Sequence, residues 1–541
     1  MSERGHGPSP APPSARLVRP AAALLALAGF LAYANALRAP FVFDDLVAVV
    51  GNPSIRHLAS ALLPPATAGS AAGRPLVNAT FAINYALGGE DVTGYHALNL
   101  LIHLAATLVL FGFLRRTFLL PPLRDRFPSA ALPVAFFSAL LWTVHPLLTE
   151  SVTCIVQRTE SLASLWLLLT LYCLVRAAES AVARRWLAGS FAACLLGTFT
   201  KEIVVVAPLL AVGCQALLID GSWRTAWNRR RGFFGLLALT WLPLAWFIMV
   251  NGPRHGSGFR TGVSSWEYAL TQARAVALYL KLAFWPNPLV LDYGTTLAHS
   301  FAAVWPQALL LAVLAGATAV AAVRRMPAAF AGIWFFGILA PSSSVVPLVT
   351  QTIAEHRMYL PLAGVVVPLV AGAWALAGRR SAVAFVALAV VLAILTVRRN
   401  AVYQSTLGLW DDTVAKAPDN PRAWTNLGNA LDEGGREDEA LRAYDRALVL
   451  SPSDGPTHYN LGNLYARRGQ PEKAIEHFQA AVRAEPGDAA AHAKLGVLLV
   501  ATGRDAEGRA QLHTALQLDP DNAMARDELA RLAVAGAPTN R

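Results

Sequence analysis

Residues 421–454 read PRAWTNLGNALDEGGREDEALRAYDRALVLSPSD, and residues 455–488 read GPTHYNLGNLYARRGQPEKAIEHFQAAVRAEPGD. Laid one above the other, they agree at a spaced set of positions: Trp424 over His458, Leu427 over Leu461, Gly428 over Gly462, Leu431 over Tyr465, Ala440 over Ala474, Tyr444 over Phe478, Ala447 over Ala481 and Pro452 over Pro486. A third copy, 489–522, keeps Leu495, Gly496, Leu499, Ala515 and Pro520, but carries Gly508 and Leu512 where the other two have Ala and an aromatic. Each copy predicts two amphipathic helices whose small facing residues let them approach. Such a pair covers its apolar face only against a neighbour, so the copies must stack.

The 34-residue period and this pattern are those of tetratricopeptide repeats. A half repeat, Trp410 to Pro418, precedes the array, and a final helix near 523–533 caps it. The solenoid offers a concave face for protein or peptide binding; a purely dimerising or stiffening role is the alternative. Gly508 and Leu512 predict looser packing in the third copy.

Outward from the repeats the composition changes. The chain of 541 residues is 15% charged with a mean hydropathy of +0.43, against about 25% charge in an ordinary globular chain. Residues 1–400 hold 30 Lys+Arg and 14 Asp+Glu, net +16, whereas 401–541 hold 15 and 20, net −5. The basic excess lies in short clusters between hydrophobic runs, as in cytoplasmic loops of membrane proteins, which argues against a nucleic-acid surface. Cys154, Cys173, Cys194 and Cys214 lie in or beside apolar runs and form no disulfide framework.

A membrane-crossing helix needs about 20 mostly apolar residues. Eleven such runs are read at 17–37, 98–118, 131–148, 160–177, 186–200, 203–219, 232–250, 302–323, 328–348, 359–377 and 382–397. With the N-terminus inside, the Arg clusters at 115–126, 176–185, 224–231, 324–325 and 379–380 all face the cytoplasm. Arg398 and Arg399 sit on the outer side, against the rule. The expected architecture is all-α: a tail at 1–16, a polytopic membrane helix bundle at 17–400, a repeat domain at 401–535 outside the membrane, and a tail at 536–541. A helix over 266–285 is expected to lie in the interface, with Trp266, Tyr268, Tyr279 and Trp285 at headgroup level.

On this topology ten of the 14 acids before Asn400 face outward, and polar clusters gather there. Phe43-Asp44-Asp45 sets adjacent carboxylates in an apolar stretch just beyond the first span, where one can serve as a general base; a helix cap is the plainer alternative. His145-Pro146 stands with Glu150, Arg158 and Glu160; Lys201-Glu202 joins two spans; Glu355-His356-Arg357 precedes another. Lys201, Arg158 and Arg357 are candidates to hold a lipid phosphate, with internal ion pairing as the alternative. His96, Asn99 and His103 form a polar stripe without the partners of a metal site.

Together these pieces resemble the transmembrane and tetratricopeptide-repeat O-mannosyltransferases, glycosyltransferases of the GT-C fold. The resemblance rests on Phe41-Val42-Phe43-Asp44-Asp45; Gly73-Arg74-Pro75-Leu76 with Gly94-Tyr95-His96-Ala97-Leu98-Asn99; His145 to Val152 followed by Arg158-Thr159-Glu160; Lys201-Glu202; Pro288-Leu289 with Asp292-Tyr293; and Glu355 to Pro361. It implies a multispan, GT-C-like transferase that takes a sugar, mannose in the family, from a polyprenyl-phosphate carrier to a Ser or Thr hydroxyl of an exported protein, inverting the anomeric carbon. Asp44 or Asp45 would be the base, with Asp45 the first choice. Lys201, Arg158 and Arg357 would steady the leaving phosphate. Arg74, His96, His145, Glu150, Glu160, Glu202, Asp292, Glu355 and His356 would support the site, with no metal held by the protein. Composition suggests a high-GC bacterium, hence an inner-membrane protein with periplasmic repeats; in a eukaryote the repeats would be luminal. A non-catalytic repeat scaffold and an oligosaccharide ligase using a lipid-pyrophosphate glycan remain as other readings.

Overall fold

The computed structural model describes residues 16–65, 68–127, 130–251, 263–344 and 346–535. The expected tails, apart from Arg16, lie outside them. The chain divides into two units: residues 1–291 with 295–405, and residues 406–541 with the three-residue segment Asp292–Gly294.

Among the described residues of the first unit, all long elements are helices, and each of the eleven apolar runs forms at least one. Six helical stretches are long and apolar enough to cross a membrane: Val18–Arg38, Val92–Thr117, Ile155–Glu179, Glu202–Ile219, Trp305–Val323 and Pro361–Val402. A seventh is the pair Ala131–Thr143 and Pro146–Thr153, bent by 55°. By length and composition the expected eleven spans thus become six or seven. The difference has a physical source. Ala183–Thr198 has only 16 residues and Ala329–Leu339 only 11, the 232–250 run is divided between Trp223–Ala238 and Trp241–Asn251, and Pro361–Val402 holds two helices that part at Gly378. Gly378 turns the chain there with φ 56°, a conformation that costs glycine little.

The expected interfacial helix forms at Ser265–Phe284, started by a capping box between Ser264 and Glu267. Trp266 and Trp285 are exposed, but Tyr268 and Tyr279 are fully buried. The Tyr268 hydroxyl donates to the Ser342 carbonyl and the Ala354 amide donates to the Tyr279 hydroxyl, so these two rings belong to the interior rather than to the headgroup level.

In the second unit the repeats form helix pairs Pro421–Glu433 with Glu437–Leu450, Gly455–Arg467 with Pro471–Ala484, and Ala489–Ala501 with Asp505–Leu518, closed by Ala523–Ala535. The first pattern position tolerates Trp or His because the ring N–H does one job in every copy. Trp424 donates to the Pro418 carbonyl at 2.8 Å, and the His458 and His492 Nε2 atoms meet the Pro452 and Pro486 carbonyls at 3.0 and 3.2 Å. The third copy is not loosely packed. Leu512 is fully buried, and a Cβ added at Gly508 would lie 2.5 Å from Val500 Cγ2 and 2.9 Å from the Gly496 carbonyl oxygen. Two glycines bring backbone against backbone where the other copies set Gly against an aromatic ring.

Candidate active site

The site starts at a turn in the first long loop. Phe43 has φ 50°, a region that a bulky residue enters only when its surroundings hold it there, and the two acids after it go to different partners. Asp45 is fully buried. Its Oδ2 accepts the Val42 N–H at 3.1 Å, and its Oδ1 accepts the Val156 N–H at 2.7 Å and faces the Cys154 thiol at 3.7 Å. Burial pushes this carboxyl up to about 7, against the pull of the Val42 and Val156 amides, and the Asp44 charge adds to the rise. With both oxygens occupied, Asp45 fastens the first loop to the turn at 154–156. Asp44 is half-buried, and its Oδ2 accepts the Ser70 hydroxyl at 2.9 Å. Of the two acids, Asp44 keeps partial exposure and Asp45 has none.

From Asp44 a line of polar contacts runs inward. Arg74 donates to the Ser70 carbonyl at 2.7 Å and pairs with Glu202 at 3.1 Å. The preceding residue, Lys201, pairs with buried Glu160 at 2.6 Å. On the other wing, Glu150 takes the His356 backbone N–H at 2.9 Å on one oxygen and the His356 Nδ1 at 2.7 Å on the other. Burial, then the Lys201 charge, holds the His356 imidazole well below its ordinary range, so it meets Glu150 as a neutral donor. Lys201, Glu160, Arg357 and Asp44 all act on His356, which joins the two wings into one neighbourhood.

Other expected site residues are used elsewhere. Arg158 is fully buried, and its guanidinium donates to Asn99 Oδ1 at 2.6 Å, Asn84 Oδ1 at 2.8 Å, the Tyr95 carbonyl at 2.8 Å and Thr80 Oγ1 at 3.1 Å. Its donors are spent on neutral oxygens, and it ties the helices Pro75–Gly88 and Val92–Thr117 to its own. Arg357 donates to the carbonyls of Thr352 and Gln351. Glu355 accepts the Val290 N–H at 2.6 Å. His145 caps a turn through the Leu147 N–H and meets the Ala283 carbonyl at 3.1 Å, and His96 meets the Ala39 carbonyl at 2.9 Å. Asp292 belongs to the second unit, where Arg422 grips it with two bonds of 2.5 and 2.7 Å. Among the described residues no three His, Cys, Asp or Glu side chains converge as metal ligands.

One cation absent from the expected set stands beside the site. Arg399, in the last turn of Ser381–Val402, is buried, with its guanidinium 5.3 Å from the centre of the Tyr403 ring. It heads the charges that act on Glu150, ahead of Lys201 and Arg357. The signal in the sequence was its breach of the positive-inside pattern.

Residues 419–484 and 465–532 match tetratricopeptide-repeat family models. Beyond the repeats, the chain is similar to protein O-mannosyl-transferases: 27% identical over 440 residues to F38B6.6 of Caenorhabditis elegans, covering 77% of this chain and 61% of that one, and 26% identical over 481 residues to TMTC4 of Mus musculus, covering 76% and 64%. The chain thus spans less than two thirds of either relative. Among solved structures, ArnT from Cupriavidus metallidurans bound to undecaprenyl phosphate aligns with 86% of this chain and 80% of its own, at 15% identity and a TM-score of 0.38. The resemblance read from the loop motifs stands on the curated relatives, which align with about three quarters of the chain and are named protein O-mannosyl-transferases.

Proposed function

We propose that this chain is a membrane glycosyltransferase that moves a sugar, mannose by likeness to its relatives, from a polyprenyl-phosphate carrier to Ser or Thr hydroxyls of exported proteins on the outer side of the membrane. The observation that carries this reading is the half-buried Asp44 carboxylate, held by Ser70 at the edge of a cluster built from four separate loops. The chemistry is a single displacement. Asp44 takes the proton of the acceptor hydroxyl, the oxygen attacks the anomeric carbon from the face opposite the phosphate, and the C–O bond to phosphate breaks with its electron pair leaving on the carrier. Inversion follows from the single displacement. Lys201, ion-paired with Glu160 at rest, supplies positive charge where negative charge grows on the leaving phosphate, and the repeats offer a surface for the acceptor polypeptide. The test is transfer of radiolabel from polyprenyl-phosphate mannose to protein by purified chain in detergent. Label is expected with the wild type and absent with Asp44→Asn; full activity in Asp44→Asn would overturn the mechanism.

A further inference from the structure

An apolar groove of about 420 Å³ opens in the first unit among three helices, Val92–Thr117, Ala329–Leu339 and Pro361–Ala377. It lies away from the candidate site. Its wall on the first of these helices runs from Leu110 to Thr117, whereas Asn99, which receives Arg158, stands near the other end. From Asn99 to Thr117 the helix rises about 27 Å. Along Pro361–Ala377 the groove reaches from Ala363 to Ala375, a rise of about 18 Å, close to the depth of one leaflet in a hydrocarbon core of about 30 Å.

Two glycines shape the groove. A Cβ added at Gly364 would lie 2.9 Å from the Ala331 carbonyl oxygen, so there the helices touch; a Cβ added at Gly372 would meet nothing within 4 Å, so there they stand apart. Between them Trp334 is held in place, its ring N–H donating to the Leu360 carbonyl at 2.8 Å and its face stacked with Phe113. Among the described lining residues Arg126 is the sole charge. Its neighbour Arg124 pairs with Asp125 at 3.4 Å, but Arg126 is exposed and its guanidinium meets no partner among the described residues. Exposed Arg324 and Arg325 stand just before the lining Pro327, and exposed Arg379 and Arg380 just beyond the lining Ala375. An apolar trough one leaflet deep, with unneutralised arginine at its mouth, complements a molecule with an acyl chain and an anionic head.

We propose that this groove seats an anionic phospholipid of the surrounding bilayer, one acyl chain lying along Pro361–Ala377 past Trp334 and the phosphate meeting Arg126. The seat requires a membrane-embedded chain and is independent of the transferase reading. Its length suits an acyl chain and falls short of a polyprenyl chain.

The test titrates the full chain, delipidated in detergent, with phospholipids brominated on their acyl chains, which quench tryptophan fluorescence on contact. Phosphatidylglycerol supplies the anionic head and phosphatidylcholine the neutral one. Wild type is expected to show saturable quenching, half complete at about fivefold less phosphatidylglycerol than phosphatidylcholine. Arg126→Gln should erase that preference and keep the weaker, chain-driven quenching. Gly372→Leu, whose side chain enters the open space, should erase the saturable part for both lipids. Both variants should melt near wild type, because Arg126 is exposed and the Gly372 Cβ has room. Equal half-quenching concentrations for the two heads in wild type would overturn the proposal, as would an undiminished preference in Arg126→Gln or wild-type quenching in folded Gly372→Leu. Displacement of the brominated lipid by polyprenyl phosphate but not by unbrominated phosphatidylglycerol would also overturn it, giving the groove to the sugar carrier. Sugar transfer is absent from this readout, so the transferase reading and the lipid seat can fail separately.

Discussion

Asp44 and Asp45 are neighbours in the chain with opposite duties, and isosteric substitution separates them. Asp45→Asn leaves one NH2 where two oxygens now accept backbone N–H groups, so one donor loses its acceptor and stability should fall by about 1–3 kcal/mol. Asp44→Asn disturbs a half-buried bond to Ser70 and should leave the melting temperature near wild type while abolishing transfer. Melting and activity measured on the same preparations check both, and a Asp45→Asn protein that is stable but inactive would contradict the assignment. His356 gives a pH signature. Its imidazole is held below its ordinary range by burial and by Lys201, so between that depressed value and about 6.5 the unfolded chain binds the extra proton. Stability is therefore present above about pH 6.5 and is lost as pH falls below it. In His356→Gln this part of the acid sensitivity should vanish, read as melting temperature from pH 8 to pH 5. What the sequence could and could not say is clear at these residues. It could mark the acids, Lys201 and the Glu-His-Arg run, because charge in an apolar stretch is conspicuous. It could not tell Asp44 from Asp45, because the choice depends on amides more than a hundred residues away, nor could it see that Arg158 is saturated by oxygens from four other positions.

At the scale of elements, the repeat pattern fixed every helix pair of the second unit but misjudged the third. Consensus reasoning treats Gly508 as a missing Ala and infers a gap. The helices close the gap instead, because Gly496 and Gly508 face each other and each carbonyl oxygen occupies the space where the other's Cβ would stand. Restoring the pattern with Gly508→Ala should therefore destabilise the unit, by about 1–3 kcal/mol as for other overpacked sites, where a loose pair would have gained from the added methyl. Unfolding of the wild type and Gly508→Ala by denaturant, followed by helical circular dichroism, distinguishes the two; a higher midpoint in the variant would restore the looser picture. The Trp-to-His exchange at the first pattern position shows in the sequence only as an alignment; its reason, a ring nitrogen that meets a proline carbonyl in each copy, appears in the structure.

For the first unit as a whole, contacts decide what helix length leaves open. Glu160 stands at the start of Arg158–Glu179 and Lys201 just after Ala183–Thr198, yet they are ion-paired at 2.6 Å. Whatever distance the first helix carries the chain from the site, the second must carry it back, although its 16 residues span only about 24 Å. The same holds between Lys201 and His356, whose imidazole feels the Lys201 charge across the helices from 207 to 339, and between Glu150 and Arg399 across the two that part at Gly378. Eleven crossings would require short or broken helices such as Ala329–Leu339 to serve as returns, and labelling of introduced cysteines tests that count. The four native cysteines are buried, so single introduced cysteines report the topology cleanly. A cysteine at exposed Ser453 should react with a membrane-impermeant maleimide in intact cells, and one at exposed Arg185 only after permeabilisation. Labelling of Arg185→Cys in intact cells with Ser453→Cys protected would reverse the orientation. Labelling of both in intact cells would place the two positions on the same side, so that one of the short helices between them is no crossing and the acceptor-binding role of the repeats would have to be argued afresh.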